Sequence, residues 1–220
     1  MSLLEIRGLR THLAVLDGTA RAVDGVDLTV GQGETVGVVG ESGSGKTLLA
    51  LSILGLLPPG EGGILPGSSI RLRGEELVGM KKGRLQKIRG SEIAMVFQEP
   101  MTSLNPVFTV GSQIKEAVEL HQKIKGRKAE EETLRLMRDV GIPDPELRMG
   151  SYPHQFSGGM RQRIMIAMAL AGEPAVLIAD EPTTALDVTT ESQILDLLAG
   201  LQARLEMALL FISHDLGVVA

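Results

Sequence analysis

The chain has no cysteine and no tryptophan, and only one tyrosine and four phenylalanines among its 220 residues. Without cysteine it can form neither disulfides nor thiolate metal sites. With so few aromatics, its core has to be built from Leu, Ile, Val, Met and Ala. No run of about 18 apolar residues occurs, so no segment has the character of a membrane-spanning helix. The opening MSLLEIRGLR lacks the apolar stretch and cleavage site of a secretory signal. The expectation is a protein that stays where it is made, or sits on a membrane surface through a partner. A basic excess is missing too. Lys and Arg number 22 against 27 Asp and Glu, a net charge of −5 that speaks against broad nucleic-acid binding.

What is present suits one well-buried domain: 43% of residues are hydrophobic. The 27 glycines point to loops that turn sharply or approach a ligand closely. Short apolar runs at 34–39, 93–97, 175–179 and 209–212 read as buried strands. Residues 4–7 and 26–30 alternate apolar with polar, as half-exposed antiparallel strands do. Helical patterns cover 46–57, 110–123, 129–140, 158–171 and 189–205. Strands alternating with helices predict an α/β fold with a mainly parallel sheet and an N-terminal antiparallel portion. Residues 99–157 carry helices, Pro-containing turns at 99–106 and 141–145, and no convincing strand. They read as a helical subdomain inserted into a core formed by 1–98 and 158–220. The end of the chain, DLGVVA, looks like the start of an uncapped apolar helix, and the expectation is a truncated chain.

The sequence GESGSGKT at 40–47 fits G-x-x-x-x-G-K-[ST], directly after a strand and at the start of a helical run. The members are Gly40, Glu41, Ser42, Gly43, Ser44, Gly45, Lys46 and Thr47. The glycines let the backbone curl so that successive N–H groups face phosphate oxygens, and the helix adds its positive end. Lys46 is expected to reach the β- and γ-phosphates of a nucleotide, and the Thr47 hydroxyl to hold Mg²⁺. A dinucleotide motif competes poorly, because Leu48 stands where its third glycine belongs.

The apolar run 175–179 ends in Asp180 and Glu181, at the end of a strand where open α/β sheets collect ligands. Asp180 is expected to hold Mg²⁺ through water, and Glu181 to polarise an attacking water as general base. Pro182 then ends the strand. Far along the chain, FSGGMRQR opens another helix at 156–163. Ser157 can cap it, and Gly158 and Gly159 leave N–H groups open to an anion. One nucleotide needs one cradle. A second makes sense if it closes over the nucleotide of another subunit.

With these residues in order, the whole chain resembles the ATP-binding cassette ATPases, and within them the subunits that drive peptide import. The longer strings MVFQEPMTSLNP at 95–106, YPHQFSGGMRQRIMIAMAL at 152–170 and IADEPTTALDVT at 178–189 carry that resemblance. It implies a P-loop NTPase core of RecA-like type. It makes 40–47 the Walker A loop, Gln98 the Q-loop, 156–160 the signature, 175–181 Walker B, 184–187 the D-loop and His214 the switch histidine. Gln98 is thereby expected to touch Mg²⁺ and the attacking water, Asp187 to meet the opposite subunit, and His214 to contact the γ-phosphate.

The implied protein is an ATPase, peripheral on the cytoplasmic face of the cell membrane. Its implied partners are a second ATPase subunit, identical or paralogous, a permease docking near 98–107 and, indirectly, an extracytoplasmic solute-binding protein. Nucleic acid is not an expected partner. Oligopeptides or dipeptides are the expected cargo, with nickel or glutathione, or a soluble non-transport ATPase, as alternatives. Three departures stand out. Phe156 and Met160 replace the family's usual Leu and Gln. The stretch Thr11, His12, Leu13, Ala14 offers no aromatic ring for adenine, leaving at best a weak stack on His12. Sequence that normally follows the switch histidine is missing.

Overall fold

A computed structural model describes residues 2–15, 18–58, 60–98, 103–184, 186–215 and 217. The turn expected at 99–106 lies partly, and the helix start expected at 215–220 mostly, outside these residues.

Strands β1 (Ser2–Val15) and β2 (Gly18–Gly31) form a long antiparallel pair, Leu4 facing Val30 and Ile6 facing Leu28. The alternation in β1 breaks after Arg7 because the register shifts between Ile6 and Leu9, both of which are buried. A bulge of this kind adds a residue and resets the side-chain period. The strand therefore runs well past the 4–7 stretch that alternation alone marks out. β4 (Gly62–Ile64) and β5 (Ser69–Leu72) pair with β1, and β6 (Glu75–Glu76) with β5.

The second sheet is parallel, in the order β3-β9-β8-β7. Its strands are β3 (Thr35–Val39), β7 (Ile93–Val96), β8 (Val176–Asp180) and β9 (Ala208–Ser213). Every residue of β8 and β9 is buried, as strands covered on both faces require. Alternate residues of β8 serve different layers. Val176 and Ile178 join the core shared with the antiparallel sheet and α1 (Lys46–Leu54). Leu177 and Ala179 join the core on the other face. That second core is filled by α3 (Val110–Gln122), α4 (Arg127–Asp139), α6 (Gly158–Leu170) and α7 (Val188–Leu205). Two shorter helices, α2 (Lys82–Ile88) and α5 (Pro145–Arg148), complete the described set together with a 3₁₀ turn at Pro153–Gln155.

The helix ends follow local chemistry. α1 stops at Leu54, short of residue 57, because Gly55 takes a left-handed turn and returns its N–H to Leu51 and Ser52. Thr109, Ser157 and Asp187 cap α3, α6 and α7 by accepting from the N–H groups of Ser112, Met160 and Thr190. α3 packs on α4, and both pack on α6. Gln122 donates to the Ala171 carbonyl at 2.9 Å, and Arg204 of α7 pairs with Asp139 of α4 at 2.9 Å.

Candidate active site

The loop between β3 and α1 is shaped by two glycines at positive φ, Gly43 at 81° and Gly45 at 93°. Gly45 also has no room for a side chain. A Cβ there would lie 1.9 Å from the Ala22 carbonyl oxygen of β2, so the antiparallel sheet buttresses the loop from behind. The cavity above the loop is lined by Gly43, Gly45, Lys46, Thr47, Gln98 and Glu181, with Ala22 at its edge. Lys46, almost fully buried, bends back over the loop. It donates to the carbonyls of Gly40 at 2.7 Å and Glu41 at 2.9 Å, and sits 3.7 Å from Glu181 Oε1.

At the end of β8, Asp180 is only 1% exposed. Burial pushes its carboxyl above its ordinary value, and the neighbouring Glu181 charge adds to this. A hydrogen bond from Thr47 and the charge of Lys46 act in the opposite direction. Its Oδ1 has no hydrogen-bond partner among the described residues. An unpartnered carboxylate oxygen beside a threonine hydroxyl, at a phosphate loop, fits a hard divalent cation with oxygen ligands.

Glu181 is the focus of the site. Its backbone lies in the left-handed region, φ 45°, and its N–H is fixed to the Ile212 carbonyl at 2.9 Å. Such a conformation costs of order 1–3 kcal/mol and persists where surroundings over-determine it. One oxygen, Oε2, accepts from Gln98 Nε2 at 3.1 Å and Thr184 Oγ1 at 3.0 Å, and lies 3.1 Å from His214 Nδ1. Residues distant in sequence thus meet at one carboxylate: the loop lysine, Gln98 after β7, and His214 after β9.

The other predicted residues form a separate surface. Ser157 and Gly158 are exposed at the start of α6, and Asp187 caps α7 nearby. Gly159 is buried against Thr190, where a Cβ would come within 2.4 Å of the threonine methyl. Phe156 is buried, with the Arg148 guanidinium 5.8 Å from its ring centre. None of Ser157, Gly158, Gly159 or Asp187 lines the Lys46 cavity. His12 does not line it either. It lies within β1, opposite Arg21 and Gly63.

A family profile described as ABC transporter matches residues 23–184. The chain belongs to the ABC transporter family. Among similar proteins, "Probable peptide ABC transporter ATP-binding protein y4tR" of Sinorhizobium fredii is 52% identical over 99% of this chain and 65% of its own length. The oligopeptide transport ATP-binding protein OppD of Bacillus subtilis is 48% identical over 99% of this chain and 61% of its length. The chain therefore spans somewhat less than two thirds of these relatives. Among solved structures, the dimeric post-hydrolysis state of the ATP-binding cassette MJ0796 bound to ADP and Pi superposes with a TM-score of 0.84. It is 27% identical, covering 98% of this chain and 89% of that one.

Two supporting contacts in this ABC cassette, one of them made by Thr184 of the 184–187 segment, are not given by the motifs themselves. Ala22 behind Gly45 carries no sequence signal, because its role rests on a backbone oxygen. Thr184 does carry one: a hydroxyl three residues beyond Glu181, across a turn opened by Pro182, can reach back to it. A second cavity of about 340 Å³ opens beside the site, against Met95, Phe97, Met165 and Met168. Phe97, 41% exposed, connects it directly to Gln98.

Proposed function

We propose that this chain is the ATP-binding and ATP-hydrolysing part of an importer subunit that energises oligopeptide or dipeptide uptake across the cytoplasmic membrane. The convergence of Lys46, Gln98 and His214 on Glu181, next to the unpartnered Asp180 oxygen, carries this reading. Gly40, Glu41, Ser42, Gly43, Ser44, Gly45 and Lys46 bind the phosphates. Thr47, Asp180 and Gln98 would hold Mg²⁺, which would supply charge neutralisation at the reacting phosphate. Glu181 takes a proton from water as the water oxygen bonds the γ-phosphorus and the bond to ADP breaks. His214 holds the γ-phosphate during that transfer.

The exposed Ser157 and Gly158 suit closure over the nucleotide of a second ATPase subunit, with Gly159 packed behind them. Asp187 lies on the same seam. This agrees with the dimeric cassette that the fold resembles, and the peptide cargo with the names of the relatives. We read residues 99–157 as the helical subdomain. The apolar cavity beside Gln98 suits a helix of a membrane permease, so nucleotide state and transport share one joint. Among the described residues no helix is long and apolar enough to cross a membrane, consistent with a peripheral place on the cytoplasmic face. A solute-binding protein would act through the permease.

The test is Glu181→Gln. Turnover should fall at least a hundredfold while ATP binding persists and an ATP-bound dimer accumulates on gel filtration. Unchanged turnover would remove Glu181 from the chemistry.

A further inference from the structure

Among the described residues, four side chains contact Glu181: Lys46, Gln98, His214 and Thr184. Three of them carry donors for which a bound triphosphate competes. Lys46 and His214 are drawn to phosphate oxygens, and Gln98 lines the cavity the nucleotide enters. Thr184 differs. It does not line the cavity, and it belongs to the same turn as Glu181, its own N–H bonded to the Glu181 carbonyl at 3.2 Å. The adjacent Thr183 faces the other way, its hydroxyl donating to Glu191 of α7 at 2.7 Å. The two threonines divide the work: Thr183 ties the turn to α7, and Thr184 reaches back to the carboxylate.

We propose that Thr184 is the positioning residue for Glu181. On this view, which rests on the hydrolytic reading of Glu181, Gln98, His214 and Thr184 share Oε2 of the carboxylate. Nucleotide entry draws Lys46, Gln98 and His214 away. Thr184 remains, keeps Oε2 engaged, and turns Oε1, freed from Lys46, toward the space where water attacks. Holding the carboxylate before the reaction avoids the cost of orienting it during the reaction.

The test compares Thr184→Val, which keeps shape and removes the hydroxyl, with Thr184→Ser, which keeps the hydroxyl. Thr183→Val is the structural control. Turnover at saturating ATP, ATP affinity and Tm are measured on each, with Glu181→Gln alongside. A hydrogen bond to a charged group is strong enough that Thr184→Val should lower kcat about ten- to a hundredfold, with ATP affinity within about twofold of wild type. Thr184→Ser should recover most of the rate. Thr183→Val should lower Tm and leave kcat near wild type. If Thr184→Val folds poorly, Thr184→Ala read against Thr184→Ser gives the same comparison. Wild-type kcat in Thr184→Val, or equal losses in the valine and serine variants, overturns the proposal while leaving Glu181 in place if Glu181→Gln is inactive. Full activity in Glu181→Gln overturns both.

Discussion

Two glycines of the phosphate loop allow a controlled comparison. Gly43 and Gly45 both sit at positive φ, so an alanine at either pays a left-handed strain of about 1–2 kcal/mol. Around Gly43 a Cβ meets nothing within 4 Å. At Gly45 it meets the Ala22 carbonyl oxygen at 1.9 Å, a contact no rotamer relieves. Overpacking costs about 1–3 kcal/mol, and a rigid backbone partner puts this case at the upper end. Gly43→Ala should therefore cost about 1–2 kcal/mol and Gly45→Ala about 4 kcal/mol. For a domain of this size about 2–4 °C of Tm accompanies each kcal/mol. The expected losses are about 4 °C and about 12 °C, read by thermal melting of nucleotide-free protein. Gly200→Ala, on the exposed face of α7 with nothing within 4 Å, should stabilise by up to about 1 kcal/mol. Melting points for Gly43→Ala and Gly45→Ala within about 2 °C of each other would refute the idea that β2 supports the loop.

Two further outcomes separate stability from function. Asp180→Asn removes a carboxylate that is buried at a cost, so the nucleotide-free protein should melt higher by about 2 °C or more while Mg²⁺-dependent turnover is lost; a lower Tm would contradict the cost assigned to its burial. Ser157→Ala removes a long, exposed capping bond of 3.4 Å, worth about 0.5 kcal/mol, so Tm should barely move. ATP-dependent dimerisation should nevertheless weaken at least tenfold by sedimentation, and an unaffected dimer would take Ser157 out of the interface.

The elements that could be read from the chain are those whose stability is local or whose burial is continuous. β8 is visible as an unbroken apolar run, and α3, α6 and α7 carry their own capping side chains. β6 is two glutamates, and as a sequence it looks like surface loop. It pairs because Glu75 is held by Arg84 and Glu76 accepts from Ser69 and the Ile70 N–H. β4 is three residues with two glycines, held on β1 by backbone pairing and by Ile64 packed against the core. α2 buries only Ile88, too little for a periodicity to appear. The site divides in the same way. Spacing marks out the loop at 40–47 and the carboxylates at 180 and 181. It does not reveal the folded-back Lys46, the left-handed turn at Glu181 or the clamp on its Oε2, since each depends on contacts between segments far apart in sequence.

The alternation in β8 has a mechanical result. Because this short strand sends Val176 and Ile178 into one layer and Leu177 and Ala179 into the other, neither layer can slide without tugging on it. The two acidic groups at its tip ride on the strand that both halves grip. A displacement of either layer would therefore carry Asp180 and Glu181 with it.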